Sequence, residues 1–245
     1  MEWADTALVI GGRRHGETSV ILEVMTRAHG RHLGIVRGGH SRTLQPVLQP
    51  GNSIGVVWRA RLEEHLGMFA VELHESRAAR LMEQSFALHG LNHLSGLLHI
   101  LPERDPHAGL FDMAETLASY LDDKALAPDL LVRFELALLA EFGFGLDLER
   151  CALSGVTADL AFVSPKSGRA VSREAAAPWR DRLLPLPAFL FAEAGRHPGL
   201  DEIADAFRLT GHFLERELFA PRGQLLPASR ERLLALLRSD TSAIR

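Results

Sequence analysis

The chain contains one cysteine, Cys151, where a zinc ribbon would carry the first of four metal ligands. Cys151 and Ser154 form C-x2-S, and farther along the chain Ser172 and Ala175 form S-x2-A. Two C-x2-C pairs about 15 to 20 residues apart are typical of a structural zinc site. Such a site needs four sulfur or nitrogen ligands around the metal, and three of the four positions here carry serine or alanine. The sequence therefore predicts a degenerate ribbon that holds no zinc.

No pattern of an enzyme active site accompanies this ribbon. The chain has no G-x-x-x-x-G-K-[ST] phosphate loop, no complete glycine-rich dinucleotide fingerprint and no G-x-S-x-G turn. His89 and His93 stand four residues apart, as zinc ligands on a helix often do, but Gly90 occupies the place of the glutamate in H-E-x-x-H. We therefore interpret both histidines as structural and predict a binding protein that is not an enzyme and has no cofactor.

The composition is typical of a globular protein from a reducing compartment. Of 245 residues, 47% are hydrophobic and 24% are charged, which suits one large or two modest domains. No apolar run approaches the roughly 18 residues of a membrane-spanning helix, and acidic residues stand where a signal peptide carries basic ones. A single cysteine excludes an internal disulfide. We predict a cytoplasmic protein with no membrane partner.

Arginine is concentrated near the N-terminus, although the formal net charge is −4. Between residues 13 and 42 only two acidic residues, Glu17 and Glu23, oppose a set of arginines. The set is Arg13, Arg14, Arg27, Arg31, Arg37 and Arg42. Such a cluster is either an ordinary solvated surface or a footprint for nucleic-acid phosphates. We predict phosphate contacts for the whole set, and the alternative DNA surface is Arg169, Arg173 and Arg180.

Residues 6–76 contain short segments rich in β-branched and aromatic residues, separated by glycine, proline, asparagine or serine. The segments are TALVIGG, TSVILEVMT, GRHLGIVRG, NSIGVVWRARL and GMFAVELHE. This pattern is typical of β-strands. Five strands in so short a region favour a small barrel, either an OB-fold or an SH3-like barrel. Trp58 in the fourth segment is interpreted as a core residue, with stacking on a nucleobase as the alternative.

From about residue 77 the apolar residues recur at spacings of three and four, which predicts helices. The segment PDLLVRFELALLAEFGFGL is the most apolar and predicts a central buried helix. The fold class is therefore α+β. We predict a barrel domain over 1–76, one α-helical domain formed by 77–150 and 176–245, and the degenerate zinc-ribbon-like insert over 151–175, with LAFVSP as its apolar strand.

The stretch GETSVILEVMTRAHGRHLGIVRGG resembles the N-terminal domain of the RecO recombination-mediator family. It contains T-x-x-x-G-R (Thr26, Gly30, Arg31) and then V-R-G, and LQPGN leads into WRARLEEHLG. The similarity continues through the helical part and DLAFVSPKSGRAV. The resemblance implies an OB-fold, a helical domain and, in many members, a four-cysteine zinc ribbon at the position of Cys151. This sequence departs from the family pattern at three of the four ligands.

The resemblance also implies a function without bond chemistry. It implies binding of single- and double-stranded DNA, annealing of strands coated by single-stranded DNA-binding protein, and loading of RecA together with the partner RecR, in association with the nucleoid. The acidic, aromatic tail of the single-stranded DNA-binding protein would contact the helical domain, where Arg208 and Arg216 are candidates for its carboxylates. The alternative function is a protein-interaction adaptor whose barrel does not bind DNA.

Overall fold

The computed structural model describes residues 1–191 and 198–242, and residues 192–197 and 243–245 of the predicted helical domain lie outside the described residues. The chain divides into two compact units, Met1–Asp123 and Lys124–Arg245. A five-stranded barrel comes first, and a helical region follows it. The predicted α+β class is therefore confirmed.

Five strands form the closed barrel of the first unit in the order β1-β2-β3-β5-β4. They are β1 (Glu2–His15), β2 (Ser19–Thr26), β3 (Gly30–Val36), β4 (Ser53–Arg59) and β5 (Met68–Glu75). Neighbouring strands are antiparallel except β3 and β5, which pair in parallel at Ile35 and Met68. This is the Greek-key arrangement of an OB-fold. Of the two barrels that the sequence left open, the OB-fold is the one that forms.

A cluster of aromatic rings fills part of the barrel interior. Trp58 is 1% exposed, and its indole Nε1 donates a 3.0 Å hydrogen bond to the carbonyl oxygen of Leu66. The ring centroids of Trp3 and His32 lie 5.6 and 5.1 Å from that of Trp58, and Phe69 lies 5.9 Å from His32. The core interpretation of Trp58 is confirmed. Stacking of Trp58 on a nucleobase is wrong, because a ring packed on all sides cannot receive a base.

His32 makes the stability of this barrel depend on pH. Burial disfavours the charged imidazole and lowers the pKa of His32 from 6.5 to about 4, although its Nδ1 lies 2.9 Å from the Leu33 carbonyl oxygen. The unfolded chain takes up this proton near pH 6.5, whereas the folded chain takes it up only near pH 4. The contribution is therefore complete above pH 6.5 and is lost as the pH falls towards 4.

We expect the melting temperature of the first unit to fall between pH 6.5 and 4 for this reason. At about 1.4 kcal/mol per pH unit, the loss from His32 reaches roughly 3 kcal/mol at pH 4. His32→Gln should remove this part of the pH dependence, while the matched change at the exposed His15 should leave it intact. Thermal melts at half-unit pH steps test this, and identical slopes in the parent and His32→Gln would contradict it.

Three helices follow the barrel within the first unit. They are α1 (Ala78–Met82), α2 (Ser85–Leu98) and α3 (Ala108–Tyr120). The helical spacing predicted from about residue 77 is confirmed here. Their buried positions recur three and four residues apart, as Leu91, Leu94 and Leu98 show on α2, so each helix presents one apolar face.

The connection between α2 and α3 is bonded to the barrel. The backbone N–H of Arg104 donates a 2.8 Å hydrogen bond to the carbonyl oxygen of Arg31. Gly30, whose φ is +67°, lies so close that a Cβ there would be 2.0 Å from the backbone oxygen of Asp105. The compact first unit runs to Asp123, beyond the barrel domain predicted over 1–76, and that domain boundary stays a prediction.

The second unit is built mainly from helices. They are α4 (Ala127–Glu141), the short α5 (Arg173–Ala176), α6 (Leu200–Phe213), which continues as a π-helix over Leu214–Phe219, and α7 (Ala228–Ser242). The predicted central helix corresponds to α4, which packs against α6 and whose Leu131, Leu138 and Leu139 are fully buried. That interpretation is confirmed for this unit.

The ribbon-like insert forms a small sheet in the order β7-β6-β8. Its strands are β6 (Leu160–Val163), β7 (Ala170–Ser172) and β8 (Leu184–Pro185), and a 3-10 helix spans Ala177–Arg182. The predicted apolar strand is therefore present as β6, with Val163 fully buried. The sheet continues beyond the predicted boundary at residue 175, because β8 returns to pair with β6.

A buried ion pair connects three helices of the second unit. Glu135 of α4 is 0% exposed and accepts hydrogen bonds of 2.7 and 3.1 Å from Nε and Nη2 of Arg230 on α7. Thr210 of α6 donates to the same carboxylate. Gly211 leaves room for the guanidinium, because a Cβ there would lie 2.8 Å from Arg230 Nη1. These polar groups fix how the three helices pack.

Candidate nucleic-acid interface

Strand register gathers four of the predicted arginines at one end of the barrel. Arg14 on β1 is opposite Val20 on β2, Val20 is opposite Val36 on β3, and Arg37 comes next. The segment after β3 folds back onto the β1–β2 hairpin, where the backbone N–H of His40 donates a 3.2 Å hydrogen bond to the carbonyl oxygen of Thr18. We call the resulting group the basic end. It comprises Arg13, Arg14, Arg37 and Arg42.

The basic end is exposed and short of negative charge. All four arginines are exposed, and within residues 1–191 and 198–242 none of them forms an ion pair with a carboxylate. Glu17 is the one acidic residue in the turn between β1 and β2. Several guanidinium groups without counter-charges create a positive local potential that attracts anions.

Arg27 follows the last residue of β2, and Arg31 is near the start of β3. Both lie at the end of the barrel opposite the basic end, because the eight residues of β2 span about 24 Å. Arg27 donates hydrogen bonds of 2.9 and 3.0 Å to the two carboxylate oxygens of Asp112. Arg31 is only 16% exposed, contacts Glu23, and donates a 2.8 Å hydrogen bond from Nε to the Leu101 carbonyl oxygen. Their phosphate role stays a prediction, and the structure does not bring them together with the basic end.

The carboxylates of Glu23 and Asp112, which bond Arg31 and Arg27, favour the ionised form. Burial opposes ionisation of Glu23, but hydrogen bonds from His99 and Arg31 outweigh it and lower the pKa of that carboxyl. The hydrogen bonds from Arg27 lower the pKa of Asp112. Both arginines are thus partners of charged acids, and a phosphate would have to compete with those acids.

The residues of the degenerate ribbon converge on the thiol of Cys151. This thiol is buried, and its sulfur accepts hydrogen bonds from the backbone N–H groups of Ser154 at 3.4 Å and Ser172 at 3.3 Å. Burial raises the pKa of Cys151, but hydrogen bonds from the two serines outweigh it and bring the pKa from 9.0 to about 6. Ala175 packs on the same cluster. The four positions of the predicted ribbon therefore lie together around one sulfur.

Comparison with known proteins identifies the family. The family model described as "Recombination protein O N terminal" matches residues 1–77, and "Recombination protein O C terminal" matches residues 82–226. This chain belongs to the RecO family. A "DNA repair protein RecO" from Methylobacterium nodulans is 57% identical over 244 residues, which cover 98% of this chain and 99% of the relative. Another from Mesorhizobium japonicum is 56% identical over 238 residues, which cover 97% and 94%.

Membership of the RecO family confirms the resemblance seen in GETSVILEVMTRAHGRHLGIVRGG. The two family models meet between residues 77 and 82, close to the end of the last barrel strand at Glu75. In the part of the chain that the structure describes, no helix has both the length and the apolar character needed to cross a membrane.

The RecO zinc ribbon does not fit the residues present in this chain. Zinc needs four soft or borderline donors, and Ser154, Ser172 and Ala175 supply none at the three further positions. Among the described residues, no three histidine, cysteine, aspartate or glutamate side chains group as metal ligands. Here the serine N–H groups surround a single sulfur, and the absence of zinc stays a prediction.

We expect the purified protein to contain clearly less than one zinc per chain and to keep its melting temperature in chelator. Structural zinc contributes about 10–16 kcal/mol of apparent binding free energy, so its removal would be unmistakable. The matched positive control is the triple variant Ser154→Cys, Ser172→Cys, Ala175→Cys, which should take up about one zinc. One equivalent of zinc in the parent by elemental analysis would contradict this expectation.

The second unit contains a groove of ≈ 890 Å³, which we call the large groove. Its apolar wall includes Phe162, Leu183, Leu186 and Phe191, and Arg173, Arg180 and Arg208 are its basic residues. Arg208 pairs with Asp205 at 2.5 Å and Arg173 with Asp159 at 3.2 Å. Arg180 forms no ion pair with any described residue and lies 5.9 Å from the Phe162 ring.

Arg216, the other predicted tail contact, lies elsewhere. Its guanidinium donates to the carbonyl oxygens of Pro165 and Lys166 and pairs with Glu217 at 2.7 Å. It does not line the large groove. Arg208 and Arg216 were both predicted from their place on the penultimate helix, but a π-helix begins between them at Leu214, and the carbonyl groups bonded to Arg216 come from a loop far away in the sequence. Their role in binding the tail stays a prediction.

Proposed function

We propose that this chain is a recombination mediator in DNA repair. In this proposal it binds single- and double-stranded DNA, anneals complementary strands coated by single-stranded DNA-binding protein, and with RecR helps to load RecA. It acts without catalysis, in the cytoplasm at the nucleoid. Membership of a family whose relatives are named DNA repair proteins supports the proposal. The roles of RecR and RecA in this proposal rest on the family resemblance.

The observation that carries the DNA-binding part is the basic end of the OB-fold. OB-folds bind single strands by a positively charged groove that follows the backbone. In a chain of net charge −4, four exposed arginines with no acidic partner among the described residues concentrate positive charge at one end of such a barrel. This arrangement has little use in a protein adaptor, whose barrel would need no local excess of cations.

A polarisation titration of the full chain with a fluorescent oligonucleotide at low salt separates the two functions. A mediator should bind single- and double-stranded probes, and its affinity should fall as salt rises, because phosphate contacts release counterions. The sequence of the probe should matter little, since phosphate contacts carry no base information. Absence of binding to either probe at low salt would instead favour the adaptor.

We also propose that the large groove receives the acidic, aromatic tail of the single-stranded DNA-binding protein. The apolar wall suits an aromatic side chain, and Arg180 is a basic residue there with no carboxylate partner among the described residues. Arg208 is the second candidate, although it shares its charge with Asp205. Asp159, Asp181, Glu202 and Asp205 also line the groove. Because their negative charges repel further carboxylates, the groove should bind one or two tail carboxylates and not more.

We expect Arg180→Ala to weaken binding of an acidic peptide that ends in phenylalanine by about tenfold or more, since a charged hydrogen bond contributes roughly 1.5–3 kcal/mol. Arg208→Ala should have a smaller effect. Arg216→Ala is the matched control on the same helical stretch and should bind the peptide like the parent. A polarisation titration with labelled peptide measures this, and the reverse order of effects would place the tail outside the large groove.

A further inference from the structure

A second groove of the second unit centres on Trp179, and no function assigned above involves this groove. We call it the tryptophan groove. Its volume is ≈ 340 Å³, and apolar side chains of Leu153, Val171 and Leu183 line it beside the indole. Trp179 itself is 51% exposed. An indole that leaves half its surface in water is unusual, because large aromatic side chains stabilise a protein mainly when they are buried.

The charged side chains that line this groove, among the described residues, are both positive. Lys166 and Arg182 line it, and among the described residues no carboxylate does. Both side chains are exposed, and neither forms an ion pair with any described residue. The guanidinium carbon of Arg182 lies 5.9 Å from the Trp179 ring centroid. Nearby Arg169 and Arg173 differ, because Asp147 and Asp159 pair with them at 3.2 Å.

The lysine side of the groove is held in place by α6 and its π-helical continuation. His212 Nε2 lies 3.1 Å from the carbonyl oxygen of Pro165, and Arg216 Nη2 donates a 3.1 Å hydrogen bond to the carbonyl oxygen of Lys166. These contacts position the loop that carries Lys166. The groove is therefore a built feature of the insert, in which an aromatic ring and two cations are presented together.

We infer that the tryptophan groove is a second contact for single-stranded DNA, in which a nucleobase stacks on Trp179 while Lys166 and Arg182 contact flanking phosphates. Proteins that bind single strands combine an aromatic stacking platform with cations that follow the backbone, and this groove supplies both. The inference rests on the proposed function for its ligand, and it adds a base contact that the basic end lacks. Arg216 is its positioning residue.

Tryptophan fluorescence of the full chain with a short oligothymidylate tests the stacking contact. We expect the emission of Trp179 to be quenched on binding, and the quenched component to be missing in Trp179→Phe, since Trp58 is buried and Trp3 already stacks on His29. Trp179→Phe should keep most of the affinity, whereas Trp179→Ala should lose about 5- to 150-fold, the range for one stacked base. Phe144→Ala, which removes another exposed aromatic residue of this unit, is the control.

An oligonucleotide of the same length with abasic sites separates stacking from charge. It keeps the phosphates, so it should bind Trp179→Ala and the parent equally and should leave Trp179 emission unchanged. The double variant Lys166→Ala, Arg182→Ala should flatten the salt dependence of thymidylate binding by about 1.4 in log–log slope. The matched double variant Arg169→Ala, Arg173→Ala also removes two positive charges. It should leave the slope unchanged, because these two arginines already pair with Asp147 and Asp159.

The outcomes distinguish this inference from the proposed function. If the parent binds thymidylate but Trp179→Ala binds it equally well and emission is not quenched, the groove does not contact DNA and the mediator function stands. Quenching of Trp179 by the acidic peptide and not by DNA would make the groove a peptide site and also overturn the inference. If the parent binds no DNA at all, both fail.

Discussion

Replacing Arg13, Arg14, Arg37 and Arg42 together by alanine is expected to remove most binding of single-stranded DNA. Each phosphate contact on a single strand contributes about −0.7 to the slope of log affinity against log salt, so four contacts contribute about −2.8. Because this contribution vanishes near 1 M salt, the affinity of the variant at about 0.1 M salt should be roughly 600-fold lower than that of the parent. Polarisation titrations from low to high salt, with unrelated probe sequences, measure both the loss and the flattened slope.

The quadruple lysine variant at the same positions is the matched control. It keeps each positive charge, so it should retain the salt slope of the parent. Arg27→Ala measures separately whether Arg27, whose guanidinium already bonds Asp112, contributes to the salt slope. Arg31→Ala is a poor probe, since its loss would leave the half-buried Glu23 with His99 as its remaining partner and would change stability as well as charge. An unchanged slope in the quadruple alanine variant would move the DNA surface to the second unit.

Arg230→Ala is expected to destabilise the second unit by about 3–5 kcal/mol, which is the usual cost of removing one partner from a buried ion pair. Glu135 is 0% exposed and would lose both charged hydrogen bonds, while Phe207 would lose a 2.6 Å bond to its carbonyl oxygen. A loss of this size approaches the whole stability of many domains. Urea denaturation and hydrogen exchange in α6 and α7 measure it.

Two further variants separate the ion pair from packing. Arg208→Ala also removes an arginine from this unit, but its pair with Asp205 is exposed, so the cost should stay below about 1 kcal/mol. The double variant Glu135→Leu, Arg230→Met replaces the pair by apolar groups of similar size and should recover most of the stability. A loss for Arg230→Ala as small as for Arg208→Ala would contradict a structural role for the buried pair.

The sequence alone was enough for the barrel strands and for most helices. Side chains alternate between the two faces of a strand, and one face of a helix recurs every three to four residues. The order of apolar and polar residues within a short segment therefore predicts which side chains are buried. The degenerate ribbon was equally visible, because residue types and their spacing are read directly from the sequence. The four positions are Cys151, Ser154, Ser172 and Ala175. The resemblance to the RecO family was also visible in local motifs, beginning with those in residues 16–39.

Contacts between distant parts of the chain were beyond that kind of reasoning. Net charge along the sequence grouped Arg31 with Arg37, six residues away, yet β3 carries them towards opposite ends of the barrel. Nothing near Arg31 in the sequence indicates that the Leu101 carbonyl oxygen and Glu23 would occupy its donors. In the same way, only the structure shows that Arg104 and Asp105 join the α2–α3 connection to the barrel, within a compact unit that runs to Asp123.

Local patterns thus determined the elements, the missing zinc ligands and the family, whereas the tertiary structure decided which arginines remain available for a ligand. The physical reason is that a charge is available only when no partner has neutralised it, and partners come from any part of the chain. Trp179 shows the same limit. Its neighbours Arg180 and Arg182 were visible in the sequence, but only the fold leaves its indole half-exposed beside Lys166.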